Sequence, residues 1–320
     1  MYKRQGLGQR VPLIVISPWS KGGYVNSQVF DHTSTIQFIE KRFGVKERNI
    51  SPWRRAVAGD LTSIFNFANP NGHDRDDDDQ VKLPSTSGFL PSVSELAGND
   101  GPTFTPSLST VILGVPAQEK GIRRARALPY KMDVHASVSN GKVSLTFVNS
   151  GSAAVVFQVR SGNTADPVRS YTVEAGKTLA DTWNAASSYN LAVYGPNGFA
   201  RYFNGSTGSS AGALDVIPSY GDGDSDGDCG SIGWKITNLA ARAAIITILD
   251  AYTGKSSTHT LQHQGTFVDK LSLDQFHGWY DLIITVAGDS SFKYRLAGHV
   301  ENGRDSYSDP ALGGLVALKG

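Results

Sequence analysis

Asp31 and His32 are the two side chains of this sequence that are best placed to do chemistry. They follow a glycine-containing loop and open a helical pattern, and ligands of open α/β folds gather where such loops leave the sheet. A histidine at that edge can donate to a phosphate or orient a metal ligand. The alternative role is structural: Asp31 caps the helix, since Asp is a preferred N-cap residue, and His32 faces solvent or packs.

The loop SPWSK at residues 17–21 could line the same cleft. Lys21 would neutralise a phosphate there, and Trp19 would contact a quaternary ammonium cation. A tryptophan at this point can also cover the sheet edge. Recognition of quaternary ammonium usually takes several rings, which favours the covering role.

Two acidic runs are weaker candidates for metal sites. Residues 222–227, DGDSDG, place Asp222, Asp224 and Asp226 at alternate positions, as at the start of a calcium-binding loop. The twelfth position is Gly233 rather than the bidentate Glu that completes such a loop, so we predict an acidic linker and keep calcium binding as the alternative. Residues 76–79 are like charges that repel each other and stay solvated. We predict no metal-binding and no cofactor-binding residue.

Composition favours short strands and tight turns over a helical protein. The 320 residues include 35 glycines and 14 prolines, and 10% are aromatic. The net charge of +1 gives no electrostatic case for nucleic acid. The single cysteine, Cys229, excludes an internal disulfide. No apolar run has transmembrane length, and residues 1–5 lack the apolar core of a signal peptide.

The elements that position Asp31 and His32 are a strand and a helix. The apolar run VPLIVI at residues 11–16 is typical of a strand buried on both faces. The helix begins near Asp31, where Asp31, Thr33 or Ser34 could be the N-cap residue. It carries Ile36, Ile39 and Phe43 at helical spacing and ends near Gly44. One strand and one helix cannot bury two faces of a sheet. We therefore interpret the segment that contains them as the end of a larger α/β domain.

The second half of the sequence contains a duplication. Strand patterns at residues 143–149, 154–159, 189–193 and 199–203 recur at residues 233–238, 243–249, 280–284 and 292–296. Glycine turns separate them at corresponding positions, including Gly176 and Gly265. Strands about ten residues apart, repeated once in the same order, predict two tandem β-sandwich modules.

These observations predict a mainly β protein. Residues 1–70 form the strand and helix at the C-terminal end of an α/β catalytic domain, and residues 71–127 form an extended connector that lies across a domain surface. Residues 128–210 form the first β-sandwich and residues 211–320 the second.

A resemblance to a known family supports this division. Residues 6–45, GLGQRVPLIVISPWSKGGYVNSQVFDHTSTIQFIEKRFGV, and residues 50–67, ISPWRRAVAGDLTSIFNF, resemble the C-terminal end of the catalytic domain in bacterial phosphocholine-specific phospholipases C. These enzymes are related to the acid and alkaline phosphatases. The repeat from about Leu128 resembles the duplicated C-terminal β domain of the same family.

The resemblance implies hydrolysis of phosphatidylcholine or sphingomyelin to phosphocholine and diacylglycerol or ceramide. It also implies a hydroxyl nucleophile, a divalent metal in the parent catalytic domain, contact with phosphocholine lipids at a membrane surface, and export to the periplasm or the medium. No residues here match the nucleophile and metal motifs. Because the match starts abruptly at Gly6, we interpret the chain as a fragment without intact activity of its own, and we expect a monomer.

Two alternative functions follow from the duplicated modules. They could be a non-catalytic binding module that holds lipid or carbohydrate surfaces through exposed aromatic side chains, for which we select Trp183, Tyr194, Trp279 and Tyr280. They could also be a structural buttress of the catalytic domain.

Overall fold

The computed structural model describes residues 11–68, 120–185, 187–207, 213–221 and 229–320. The helices are α1 (His32–Phe43) and α2 (Pro52–Val57), with 3-10 turns at Thr62–Ile64 and Asp274–Phe276. The strands are β1 (Arg124–Ala125), β2 (Met132–Ser139), β3 (Lys142–Asn149), β4 (Val155–Ser161), β5 (Arg169–Val173), β6 (Lys177–Asn184), β7 (Ser188–Tyr194), β8 (Ala200–Ser206), β9 (Leu214–Gly221), β10 (Ser231–Asn238), β11 (Ala244–Asp250), β12 (Ser256–Leu261), β13 (Thr266–Ser272), β14 (Trp279–Val286), β15 (Asp289–His299) and β16 (Ser306–Tyr307).

The duplicated half is a two-layered β-sandwich, and the prediction of a mainly β fold is confirmed. One layer is a continuous eight-stranded sheet in the order β12-β11-β14-β15-β8-β7-β4-β5. The other layer consists of two three-stranded sheets, β2-β3-β6 and β13-β10-β9, which touch through β2 and β9. Each repeat supplies four strands to the long sheet in mirrored order, and equivalent strands β8 and β15 pair antiparallel. The two repeats are therefore related by an approximate two-fold rotation.

The same contacts recur in both repeats. Asn149 is buried at the end of β3 and donates its amide to the carbonyls of Ala153 and Val173. Asn238, at the end of β10, does the same to Arg242 and Leu261. Each of these amide oxygens also accepts a backbone N–H two residues further on. A buried asparagine thus satisfies the backbone groups that each turn leaves unpaired.

One hydrophobic core runs through both repeats. Phe147 and Phe157 of the first repeat lie 5.4 Å apart between the two layers. Phe203 of β8 packs edge-on against Tyr294 of β15, with 5.0 Å between ring centroids. The two repeats cannot be separated between β8 and β15 without exposing these rings, so the repeats share one core instead of forming two independent sandwiches.

The N-terminal segment, residues 11–68, contains the predicted helix but not the predicted strand. Residues 11–16 form no strand, and the side chains of Leu13, Ile14 and Ile16 are exposed. The prediction of a strand buried on both faces is wrong for this structure. A strand needs adjacent backbone to satisfy its N–H and C=O groups, and none of the sheets in the described ranges runs beside these residues.

The N-terminal segment meets the C-terminal end of the chain at a small junction. The backbone of Val25 exchanges hydrogen bonds with Arg124 and Arg126, which flank Ala125 of β1, at 2.8 Å each. Strand β1 pairs with β16, and the Arg126 guanidinium lies 3.7 Å from the ring centroid of Tyr24. This junction lies at the end of the predicted connector. Most of that connector, together with the acidic residues 76–79 and 222–227, lies outside the described residues.

Within the described residues, no helix has the length and apolar character needed to span a membrane.

Candidate functional site in the N-terminal segment

Asp31 occupies the N-cap position of α1. One of its carboxylate oxygens accepts the backbone N–H of Thr33 at 2.7 Å and the Thr33 hydroxyl at 2.6 Å. The hydroxyl of Ser34 accepts the backbone N–H of Asp31, which completes a reciprocal capping box. The second carboxylate oxygen pairs with Arg54 of α2. Asp31 therefore has the structural role predicted for it, which is to cap the N-terminus of α1.

The electrostatics at Asp31 favour its charged form. Burial acts to raise the pKa of this carboxyl, but hydrogen bonds from Thr33 and the charge of Arg54 outweigh it and hold the pKa below its ordinary value. Asp31 is therefore ionised at neutral pH. A carboxylate held in this way is an acceptor for the helix N-terminus and a counter-ion for Arg54, and it is poorly suited to donate a proton.

Asp31→Ala is expected to weaken α1 by about 1 kcal/mol, the usual loss when an N-cap side chain is removed. Amide hydrogen exchange in α1 should then be several-fold faster, while Asp31→Asn, which keeps a side-chain oxygen, should exchange nearly as slowly as the parent. Because the folded pKa is lowered, the contribution is present above the ordinary value of 3.8 and is lost as pH falls through the folded value. Equal exchange in the Ala and Asn variants would refute the capping role.

The other predicted cleft residues are His32, Lys21 and Trp19. His32 is exposed in the first turn, and Lys21 is exposed in its loop. The backbone carbonyl of Trp19 accepts the N–H of Asn66 at 2.8 Å, and its ring lies 6.1 Å from that of Phe67. Trp19 is 42% exposed and lies at the edge of an aromatic cluster, and its predicted roles in covering a sheet edge or contacting a quaternary ammonium cation stay predictions. Roles in catalysis or in phosphate binding remain predictions for His32 and Lys21.

Helix α1 presents three of its four large apolar side chains outward, while Phe38 is half-buried against Phe65. Ile36, Ile39 and Phe43 are 42%, 50% and 70% exposed, whereas the polar Ser34 and Gln37 are buried against the rest of the segment. The exposed apolar residues 11–16 belong to the same segment. We call the side chains of Ile36, Ile39, Phe43 and residues 11–16 the open apolar face. Association with further polypeptide would cover these exposed apolar side chains.

The polar side of α1 is held in place by ion pairs. Arg55 of α2 makes two hydrogen bonds to the carboxylate of Glu40, at 2.7 and 2.8 Å. The hydrogen bonds from Arg55 lower the pKa of Glu40 to about 2. The next residue of α1, Lys41, pairs with Asp60 at 2.8 Å. These contacts fix α1 with its polar side inward, so the outward position of the apolar side chains is a defined feature of the segment.

Sequence reasoning missed helix α2 and its arginines. Ser51 caps this helix by accepting the N–H of Arg54, and Pro52 occupies the first turn. A serine followed by proline is a known helix-start signal, so α2 could have been predicted from these two residues. Its prediction would have placed Arg54 and Arg55 one turn inside a helix, facing the carboxylates of α1.

No metal centre is found in the part of the chain that the structure describes. Among these residues, no group of three or more His, Cys, Asp or Glu side chains is arranged to hold an ion. The described residues therefore do not fit the divalent metal that the parent catalytic domain is expected to contain.

The aromatic residues selected for surface binding are mostly buried. Trp183, Trp279 and Tyr280 are 2 to 5% exposed and belong to the interior, so their selection as surface residues is wrong. Trp183 and Tyr280 point between the layers from inward positions of β6 and β14, whereas Trp279 points to the opposite face of β14, where its indole N–H donates to the carbonyl of Tyr307 at 2.9 Å. Tyr194, at 37% exposed, is the one of the four that reaches the surface.

Both halves of the chain match known protein families. The family described as "Bacterial phospholipase C, C-terminal domain" matches residues 124–206 and 216–299, which correspond to the two repeats. The family described as "Phosphoesterase family" matches residues 2–46, which include α1. The chain therefore combines part of a phosphoesterase with a duplicated β domain.

Relatives carry the same combination over nearly the whole chain. It is 43% identical to a non-hemolytic phospholipase C of Burkholderia pseudomallei over 96% of this chain and 43% of the relative. It is 41% identical to a non-hemolytic phospholipase C of Pseudomonas aeruginosa, over 98% of this chain and 45% of the relative. A hemolytic phospholipase C of the same species is 38% identical over 96% and 45%. The chain belongs to the bacterial phospholipase C family, and it spans less than half the length of these relatives.

Proposed function

We propose that this chain works as the C-terminal portion of a phospholipase C that hydrolyses phosphatidylcholine or sphingomyelin to phosphocholine and diacylglycerol or ceramide. In this proposal residues 11–68 complete a phosphoesterase domain, and the nucleophile and the divalent metal are held by polypeptide equivalent to the remaining part of the relatives. The repeats then form an accessory β-sandwich attached through the junction of β1, β16 and Val25.

The open apolar face is the observation that carries this proposal. Ile39 and Phe43 cost free energy when they face water, at roughly 25 cal/mol for each Å² of apolar surface left exposed. Covering them with the rest of an α/β domain would recover that free energy. It would also provide residues 11–16 with the neighbouring strands that their apolar sequence predicts. Asp31, His32 and Lys21 would then lie at the rim of the completed cleft.

Location and partners follow from the same proposal. The enzyme acts on phosphocholine lipids at a membrane surface, from the periplasm or the medium, and it works as a monomer without a nucleic-acid partner. The names of the relatives and their match over both halves of the chain support the lipid substrate.

A chimera tests the proposal. Residues 11–320 would replace the matching region of the Burkholderia pseudomallei relative, so that both parts of the domain are present in one polypeptide. We expect this chimera to release phosphocholine from phosphatidylcholine and to lose that activity on treatment with a chelator of divalent metals, while residues 1–320 alone release none. A folded chimera without hydrolysis of either phosphocholine lipid would contradict the proposal.

A further inference from the structure

The outer face of the eight-stranded sheet carries a row of cationic and aromatic side chains that begins in the first repeat and ends on β15 of the second. The strand register places Arg160 of β4 opposite Ala192 of β7, Ala192 opposite Tyr202 of β8, and Tyr202 opposite Arg295 of β15. Tyr194 projects from the same face of β7, two residues beyond Ala192. We call these five residues the tyrosine-arginine row.

The geometry of the row forms a corner with positive charge on both sides. The rings of Tyr194 and Tyr202 lie 5.9 Å apart at 90° to each other. The guanidinium of Arg160 lies 5.9 Å from the centroid of the Tyr194 ring, and that of Arg295 lies 5.9 Å from the Tyr202 centroid. Ala192 has the smallest side chain of the row and lies between Arg160 and Tyr202.

The equivalent row of the second repeat is covered. Leu249 and Ile283 take the positions of Arg160 and Ala192, and they are opposite each other on β11 and β14. The C-terminal residues pack over them: the backbone N–H of Lys319 donates to the carbonyl of Ala251 at 2.9 Å, and Gly320 lies against the Ile283 and Leu249 side chains. Ile283 is buried as a result, whereas Tyr194 and Arg160 stay exposed.

The chemistry of the exposed row suits a zwitterion with a quaternary ammonium group. A trimethylammonium cation is attracted to aromatic faces within about 6 Å, and two perpendicular rings offer it two walls. A phosphate joined to that cation by two carbons would lie within reach of an arginine on either side. The positive charge of Arg295 is balanced by Asp281, to which it donates a hydrogen bond at 2.7 Å. Arg160 is therefore the arginine of the row that we assign to the phosphate.

We propose that the tyrosine-arginine row binds the phosphocholine headgroups of a lipid surface, and so holds the sandwich to the membrane apart from the catalytic cleft. This inference rests on the proposed function, because it takes phosphocholine lipids as the surface that the protein meets. Tyr194 and Tyr202 contact the trimethylammonium group, and Arg160 contacts the phosphate. The covered row of the second repeat does not bind.

Sedimentation of the full chain with phosphatidylcholine vesicles tests this proposal. Tyr194→Ala and Arg160→Gln, both at exposed positions, should each weaken binding by about tenfold. Ile245→Ala is the matched control, since Ile245 is 45% exposed on the outer face of the same sheet and lies outside the row. The control should bind as the parent does, free phosphocholine should release the bound protein, and vesicles of phosphatidylglycerol should not retain it.

Three results would overturn the proposal: unchanged binding in both row variants, an equal loss in Ile245→Ala, or equal retention by phosphatidylglycerol vesicles. The far-ultraviolet circular dichroism spectrum of each variant checks that the variant is folded. Tyr194→Ala and Arg160→Gln remove different contacts, so each tests the row separately. Failure here is distinguishable from failure of the proposed function. A chimera that hydrolyses lipid while the chain ignores vesicles contradicts only the row, and vesicle binding without hydrolysis contradicts only the enzymatic proposal.

Discussion

Arg201→Ala is expected to destabilise the sandwich by about 3 to 5 kcal/mol, the usual cost of removing one partner from a buried charged network. Arg201 is fully buried between the layers, on β8, near the approximate two-fold axis that relates the two repeats. Its guanidinium donates to the carbonyls of Ala200 and Ala297 at 2.8 and 2.9 Å and to the hydroxyls of Tyr220 and Tyr280. The substitution leaves all four acceptors without this donor.

The loss of stability in Arg201→Ala should depend on pH because of Asp133. This carboxylate lies 3.7 Å from Arg201 and accepts the Tyr220 hydroxyl at 3.1 Å. Burial raises its pKa above the ordinary value, and the charge of Arg201 opposes that rise. Without Arg201 the pKa rises further, so the folded state holds a proton more tightly than the unfolded state. Its stability then falls as pH rises through the folded pKa, and the variant should be least impaired in acid.

Urea unfolding of the parent and the variant at neutral and acid pH measures this effect. Lys41→Ala serves as the control, since its exposed pair with Asp60 should contribute less than about 1 kcal/mol. The double variant Arg201→Met with Asp133→Leu should recover part of the loss, because it leaves no buried charge unpaired. A loss of less than about 1 kcal/mol in Arg201→Ala, at both pH values, would contradict the role given to this network.

Phe203→Ala is expected to cost about 3 to 5 kcal/mol and to weaken both repeats together. The ring is 2% exposed and packs edge-on against Tyr294 across the pairing of β8 with β15. Removing it leaves a cavity at the junction of the repeats. Because the long sheet and the core are continuous, neither repeat should unfold before the other.

Fluorine NMR on protein labelled with fluorotryptophan can follow each repeat separately. Trp183 lies in β6 of the first repeat and Trp234 in β10 of the second. We expect their unfolding midpoints to coincide in the parent and to shift equally in Phe203→Ala. Leu179→Ala, at a partly exposed position of β6, is the control and should shift both midpoints only slightly. A shift confined to Trp183 would mean that the repeats are independent modules.

Local sequence signals predicted the elements of the sandwich well. The alternating patterns at residues 143–149 and 233–238 became β3 and β10, because one side of each strand faces the core. The same holds for the cap at Asp31 and the stop at Gly44, where φ is 70° and glycine is favoured. These features depend on a few neighbouring residues, so one sequence contains the needed information.

Features that depend on distant partners were not predictable. The repeats are joined where β8, the edge strand of the first repeat, pairs with β15, the edge strand of the second. No local sequence pattern indicates which edge strands will pair. The inward position of Tyr280 depends on the register of β14, and the burial of Trp279 on the opposite face depends on its contact with Tyr307, neither of which composition alone gives. Residues 11–16 carry a strand sequence, yet no strand forms without a neighbour to pair with.

Cysteine labelling at position 39 tests the central claim most directly, namely that the open apolar face is the inner surface of a phosphoesterase domain. Ile39→Cys would be introduced in the chain and in the chimera, both with Cys229→Ser, and Val168→Cys would serve as an exposed control at 59%. We expect Cys at position 39 to react rapidly in the chain and to be strongly protected in the chimera, while the control reacts rapidly in both. Equally rapid labelling of position 39 in the two proteins would contradict the claim.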